Sequence, residues 1–86
     1  MIVVKILYFA SLAETLGMRS EQFELPADCD SVARLVALLR ARGEPFEGTF
    51  DGKFRILVAI NQQMSETDAP ISGNDEIAFF PPVTGG

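Results

Sequence analysis

The last two residues of the chain are the ones whose type and position could do chemistry. Gly85 and Gly86 carry no side chain, so a nucleotide or a partner's backbone can approach the terminal carboxylate closely. A carboxylate does not react with nucleophiles until it is converted to an acyl donor, most simply an acyl-adenylate. We therefore expect Gly86 to be a reactive terminus that a separate enzyme activates, with Gly85 providing clearance in a narrow channel.

The remainder of the sequence offers few catalytic groups. It contains no histidine, which is the commonest general base and metal ligand. Its single cysteine, Cys29, lies between two aspartates whose charge disfavours a thiolate, and we interpret it as a residue that simply precedes a helix. Glycine patterns that bind phosphates and carboxylate spacings that bind calcium are absent from the sequence. These observations predict no metal site, no bound cofactor and no catalytic residues within the domain itself.

Two prolines join the terminal segment to the domain. Proline fixes φ and has no N–H to donate, so Pro81 and Pro82 are expected to end sheet pairing and to project the chain outward. The segment has no ionised side chain, unlike most frayed termini. The six residues after Phe80 span about 20 Å when extended. We expect a single domain over residues 1–80 and a flexible, functional tail over residues 81–86.

Length and charge limit the class of protein. Eighty-six residues, 48% of them hydrophobic and 22% charged, suit one globular domain. The net charge of −5 argues against partners that are nucleic acids or anionic membranes. It either favours partners with basic docking surfaces or merely keeps the protein soluble. The apolar N-terminus is interrupted by Lys5 and lacks a basic region, which favours a strand over a signal peptide, so we expect a cytoplasmic protein.

Hydrophobic periodicity predicts one main helix. It begins after Asp30 or Ser31, and its apolar residues recur at helical spacing: Val32, Leu35, Val36 and Leu39. The following segment, residues 44–53, is predicted to be irregular because it contains proline and glycine turn signals. Phe46 and Phe50 are expected to pin that segment to the domain.

Strands are predicted over residues 2–9, 21–25, 56–60 and 76–80, with a short helix over residues 11–16. The first strand is apolar on both faces except at Lys5, which indicates a central strand covered on both sides, or nearly so. This order of elements favours an α+β domain of the ubiquitin-like β-grasp class, with a mixed sheet, one main helix packed across it and the two terminal strands paired in the middle.

Met64 and Phe80 are candidates for an exposed apolar docking patch at the base of the tail, because methionine and aromatic side chains are common interface anchors. The alternative is that both residues belong to the core. Phe79 lies on the opposite side of the strand from Phe80 and is the stronger candidate for the core.

The ending Ala78-Phe79-Phe80-Pro81-Pro82-Val83-Thr84-Gly85-Gly86 closely resembles that of the small subunit of molybdopterin synthase. Supporting likenesses are Phe9-Ala10 with residues 14–17, Val58-Ala59-Ile60-Asn61-Gln62, and Gly73-Asn74-Asp75-Glu76-Ile77. The chain departs from the family at Ala13, where members often carry an arginine just before the glutamate of the first helix. If that arginine helps to dock a partner, the contact is missing here.

The resemblance implies a β-grasp protein that acts as the sulfur-donating subunit of molybdopterin synthase. Gly86 would be adenylated by an ATP-consuming enzyme related to the ubiquitin-activating enzymes, and a sulfur donor would convert it to a thiocarboxylate. Val83 and Thr84 would line the path of the tail inside the large subunit, where sulfur passes to cyclic pyranopterin monophosphate. The implied assembly is a heterotetramer of two small and two large subunits.

Two other interpretations stay open. The chain could be a ubiquitin-like sulfur carrier for thiamine thiazole synthesis or tRNA thiolation, since those families share the Gly-Gly end. It could also be a non-catalytic ubiquitin-like modifier or a passive interaction module.

Overall fold

A five-stranded mixed sheet forms the centre of the computed structural model, which describes residues 2–82. The elements follow in the order β1 (Ile2–Tyr8), α1 (Ser11–Leu16), β2 (Ser20–Leu25), α2 (Val32–Arg40), α3 (Phe46–Thr49), β3 (Leu57–Ile60), β4 (Gln63–Ser65) and β5 (Glu76–Phe80). The strand order is β2-β1-β5-β3-β4. Strands β1 and β5 are parallel, and the other neighbours are antiparallel. The predicted α+β β-grasp, with its terminal strands paired at the centre, is confirmed.

One face of the sheet packs against the helices to form the core. Strand alternation sends the side chains of Ile6 and Tyr8 to the same face as Ile77 and Phe79, and all four are at most 2% exposed. The main helix α2 contributes three fully buried residues at helical spacing: Val32, Leu35 and Leu39. The helix therefore forms because its apolar stripe is covered by the sheet, as the periodicity predicted.

The start of α2 is held by the loop that precedes β5. Ser31 is the N-cap, and its Oγ accepts a hydrogen bond from the Arg34 N–H at 3.3 Å. Two more N–H groups of the first turn find carbonyl partners across the loop: Val32 donates to Ala69 at 3.1 Å and Ala33 to Thr67 at 2.8 Å. The donors that a helix start leaves without intrahelical partners are thereby satisfied.

The segment between α2 and β3 differs from the sequence prediction. The structure has a single helical turn, α3, where an irregular segment was expected. The turn is stabilised by a bidentate ion pair in which Arg40 donates to both carboxylate oxygens of Glu47, at 2.9 and 2.7 Å. Phe46 and Phe50 are 7% and 8% exposed, so the prediction that they pin this segment is confirmed.

The prediction that the first strand is covered on both sides, or nearly so, is confirmed for one face only. All three helices contribute to the core on that face, whereas the β1 side chains on the other face are half-buried or exposed. On that open face of β1, Val3 and Leu7 are half-buried and Lys5 is exposed. The apolar residues on both sides of β1 are therefore explained only in part by packing within the domain. None of the helices in this part of the chain is long and apolar enough to cross a membrane.

Candidate functional site

The open face of the sheet carries an apolar surface that is built from four strands. In the antiparallel register Leu57 lies opposite Phe80, and Ala59 lies opposite both Ala78 and Met64. In the parallel register Leu7 lies beside Ala78. Paired residues project from the same face of a sheet. Phe9 follows by alternation from Leu7, and its N–H donates to the Phe79 carbonyl at 3.1 Å. We call this surface the outer-face patch; its members are Leu7, Phe9, Leu57, Ala59, Met64, Ala78 and Phe80.

Two members of the outer-face patch are large and well exposed. Met64 is 63% exposed and Phe9 is 48% exposed. Phe80 is half-buried, and the small residues Ala59 and Ala78 are only 8% and 9% exposed. An exposed apolar surface of this kind, with methionine and aromatic side chains, is typical of a protein interaction site.

The β3–β4 hairpin positions Met64. Its turn residues Asn61 and Gln62 both have positive φ, at 50° and 70°, as a two-residue hairpin turn of the primed type requires. Strand β4 is only three residues long and pairs with β3 on one side. Met64 therefore stands at an edge of the sheet, on a short hairpin whose turn sets its direction.

The tail leaves the domain beside this patch. Strand β5 ends at Phe80, and Pro81 and Pro82 follow without sheet pairing, as predicted from their missing N–H groups. Both prolines also line a groove of about 620 Å³ on the helical side. Its apolar wall includes Leu12, Pro45, Phe54 and Ile56, and Phe54 is 69% exposed. The base of the tail is thus flanked by apolar surface on two sides.

The predicted site residues fall into two groups. Met64 and Phe80 both lie on the outer face of the sheet, where Met64 pairs with Ala59 and Phe80 pairs with Leu57. Pro81 and Pro82 follow Phe80 directly at the base of the tail. Val83, Thr84, Gly85 and Gly86 lie outside the described residues. Sequence reasoning missed Phe9, Leu57 and Phe54. Strict alternation from the buried Tyr8 was the signal that could have assigned Phe9 to the outer face.

A polar network fixes the core side of β1 next to the patch. The Tyr8 hydroxyl donates to Glu21 at 2.7 Å, and Arg42 donates to both oxygens of the same carboxylate at 3.0 and 2.7 Å. Burial alone would raise the pKa of Glu21, but the hydrogen bonds from Arg42 and Tyr8 outweigh it and lower that pKa. Arg42 also lies between the rings of Phe23 and Phe46, 4.9 and 4.7 Å from their centres.

The other chemistry-bearing groups form no second site in residues 2–82. Cys29 is 5% exposed, and burial, together with the neighbouring aspartates, raises the pKa of its thiol, which disfavours a nucleophilic thiolate. No three acidic or cysteine side chains in these residues lie close enough together to hold a metal ion.

Comparison with known proteins assigns the family. Residues 6–86 match the model of the ThiS family. The molybdopterin synthase sulfur carrier subunit of Escherichia coli is 38% identical over 85 residues, covering 98% of this chain and 100% of that protein. The chain belongs to the ThiS family. Its resemblance to the molybdopterin synthase sulfur carrier subunits, stated above from the sequence, is confirmed.

Two solved structures with this fold come from proteins with different names and roles. The small archaeal modifier protein 1 of Haloferax volcanii has a TM-score of 0.70 and 26% identity, covering 96% of this chain and 100% of that one. Subunit 1 of the molybdopterin-converting factor of Helicobacter pylori, solved as a complex with subunit 2, has a TM-score of 0.65 and 20% identity, covering 99% and 100%. Both proteins share the β-grasp architecture. At 20% identity, the likeness to the Helicobacter pylori protein extends to the fold alone.

Proposed function

We propose that this chain carries sulfur for molybdopterin synthase as a thiocarboxylate on Gly86. The observation that carries the proposal is the full-length match to the Escherichia coli molybdopterin synthase sulfur carrier subunit. An ATP-dependent enzyme joins AMP to the terminal carboxylate and releases pyrophosphate. A sulfur donor then attacks the acyl carbon, AMP leaves, and the terminus becomes a thiocarboxylate that delivers sulfur to cyclic pyranopterin monophosphate.

The geometry supports a domain that binds the partner and a tail that carries the reacting group. The described residues supply an exposed apolar surface beside the tail and no group of acidic or cysteine side chains that could hold a metal ion. Binding through the outer-face patch would hold Pro81 and Pro82 at the mouth of a partner's pocket, with Val83 and Thr84 along its wall. Proximity of this kind converts delivery of the terminal group into an effectively intramolecular event. The activating enzyme and the acceptor supply the acid–base chemistry.

The partners in this proposal are the large synthase subunit and the adenylating enzyme. The Helicobacter pylori protein of the same fold was solved as a complex of its subunits 1 and 2, which supports a large-subunit partner for this chain. Both partners would use the same apolar patch, and they would therefore bind in turn rather than together. A heterotetramer of two small and two large subunits, in the cytoplasm, belongs to the same proposal.

Mass spectrometry tests the chemistry. The protein is incubated with its adenylating enzyme, ATP and a sulfide donor, and we expect the mass to rise by the difference between sulfur and oxygen. The variant lacking Gly86 is the matched control: it should fold normally and gain nothing. An unchanged mass of the intact chain with a competent adenylating enzyme would sink the proposal, and unfolding of the shortened variant would show that the tail is structural.

A second candidate is a protein modifier, favoured by the likeness to the small archaeal modifier protein 1. This function predicts isopeptide conjugates between Gly86 and lysines of other proteins. Cell extracts from a strain that expresses a tagged chain would show slower-migrating species, and these would disappear when Gly86 is deleted. Restoration of molybdopterin synthesis by the thiocarboxylated chain in a purified reaction, without such conjugates, would favour the sulfur carrier.

A further inference from the structure

We propose that Asn61 is a positioning residue that holds the β3–β4 hairpin, and with it Met64, in the orientation that the large subunit recognises. This inference rests on the proposed function, in which the outer-face patch is the docking surface.

Asn61 joins the hairpin turn to the start of β5 through three hydrogen bonds. Its backbone N–H donates to the Glu76 carbonyl at 2.8 Å. Its side-chain Oδ1 accepts from the Glu76 N–H at 3.0 Å, and its Nδ2 donates to Asp75 Oδ1, also at 3.0 Å. The side-chain amide of Asn61 therefore donates to Asp75 and accepts from the next residue, Glu76.

The group that Asn61 contacts is itself fixed to the centre of the sheet. The second carboxylate oxygen of Asp75 accepts from the Ser72 N–H at 2.8 Å, and the Asp75 carbonyl accepts from the Lys5 N–H of β1 at 2.9 Å. Asn61 thus ties an edge hairpin to a point that is held by β1 and by the loop before β5. The Asn61 side chain therefore makes its hydrogen bonds to protein groups although it lies on the surface.

We expect this connection to restrict the position of Met64 before a partner binds. Met64 lies on a three-residue strand that pairs with β3 and with no other strand among residues 2–82, three positions after Asn61, and it is the most exposed member of the outer-face patch. Strand β3 is held on its other side by β5, so β4 is the less supported strand of the hairpin. Fixing the turn reduces the freedom of the hairpin before docking, which lowers the entropic cost of binding.

The neighbouring turn residue provides a matched control. Gln62 has a positive φ of 70° and makes no side-chain hydrogen bond among those found in residues 2–82. Glycine tolerates positive φ at either position. Asn61→Gly removes the two side-chain hydrogen bonds and keeps the backbone bond to Glu76, whereas Gln62→Gly relieves strain and leaves all three bonds intact.

The experiment is a double-mutant cycle with Met64, read as the Kd for the large synthase subunit by calorimetry at a temperature where every variant is folded. We expect Asn61→Gly to weaken binding about fivefold and Met64→Ala about 30-fold. In the Met64→Ala background, Asn61→Gly should cost less than about twofold, because the residue that it positions is gone. Gln62→Gly should stay within about twofold of the unmodified chain.

A second variant and a second readout separate the possible failures. Asn61→Asp keeps the acceptor for the Glu76 N–H but places a carboxylate against Asp75, so it should also weaken binding. The Met64 methyl resonance of the free protein should shift in Asn61→Gly and not in Gln62→Gly. An equal loss in both Met64 backgrounds, or an unmoved methyl resonance, would overturn the inference. Failure of the unmodified chain to bind the large subunit would instead overturn the proposed function, and the methyl resonance would still decide the role of Asn61.

Discussion

The two faces of β5 carry neighbouring phenylalanines with different surroundings. Phe79 is 2% exposed and packs between aromatic rings, 6.2 Å from Tyr8 and 5.1 Å from Phe50. Phe80, the next residue, is half-buried on the outer face opposite Leu57. Because side chains alternate along a strand, one apolar segment serves both the core and the proposed docking surface. Hydrophobicity alone therefore does not distinguish a core residue from a candidate docking residue in β5; the two phenylalanines differ because the helices pack on the face that carries Phe79.

The largest effect should come from truncation on the core face. Phe79→Ala removes a ring that touches two other rings, and we expect it to lower the free energy of unfolding by about 3–5 kcal/mol. Urea denaturation followed by circular dichroism measures the change. Phe80→Ala is the matched control and should cost less than half as much. Equal costs at the two positions would break the distinction between the faces.

Truncation on the outer face should affect binding instead of stability. Met64→Ala should weaken binding to the large subunit about 30-fold, or about 2 kcal/mol, because exposed methionines at interfaces act as anchors. Its free energy of unfolding should change by less than about 0.5 kcal/mol, because the side chain is mostly exposed. Calorimetry and urea denaturation on the same sample test both halves. A stability loss as large as the binding loss would assign Met64 to the core.

The polar network at the edge of the core face should contribute a pH-dependent part of the stability. The Glu21 carboxyl has a lowered pKa when folded, so its contribution is present above the unfolded pKa, about 4.3, and is lost as pH falls through the folded value. Arg42→Ala should destabilise the protein by about 1–2 kcal/mol at pH 7.

Urea midpoints at two pH values check this prediction. The difference between the Arg42→Ala variant and the unmodified chain should shrink as pH falls below the lowered folded pKa of Glu21, because the carboxyl group is then protonated in both proteins. A difference that stays constant with pH would show that Arg42 acts through its stacking on Phe23 and Phe46 rather than through Glu21.

The smallest effect should come from a residue that belongs to neither face. Ala10 has φ 54° and ψ −131°, a conformation that glycine adopts far more readily than alanine. Ala10→Gly should raise the free energy of unfolding by about 0.5–1 kcal/mol and leave the Kd for the large subunit unchanged. Thermal unfolding and calorimetry measure the two quantities. A loss of stability would mean that glycine's greater freedom in the unfolded chain outweighs the strain that it relieves.

The core face was predictable from the sequence, whereas the open face was predictable only in part. The periodicity of Val32, Leu35 and Leu39 predicted α2 because a helix that covers a sheet must carry an apolar stripe. In β1 the apolar residues on both faces predicted cover on both sides, but among residues 2–82 the outer-face side chains Val3 and Leu7 are only half-buried. The sequence of one strand cannot distinguish a residue that packs in its own domain from a residue that packs against a partner. Apolar side chains are favoured in both places.

The docking residues show the same limit at single positions. Met64 and Phe80 were predicted from residue type, and the register places both on the outer face of the sheet. Phe9 was missed because it was assigned to the first strand without regard to its side. The groove is lined by Phe54, Pro45, Pro81 and Pro82, among others. It forms where segments far apart in sequence meet, and no local sequence pattern reveals such a meeting.

The parallel pairing of β1 with β5 has a mechanical consequence. The tail continues the strand that lies at the middle of the sheet, with ladders of hydrogen bonds to β1 and β3 on its two sides. A pull on the tail is therefore directed along β5 and loads both ladders in shear, so that many bonds share the force instead of opening one after another. Under the proposed function the tail enters two partners in turn, and its attachment to the central strand would resist the tension of each withdrawal.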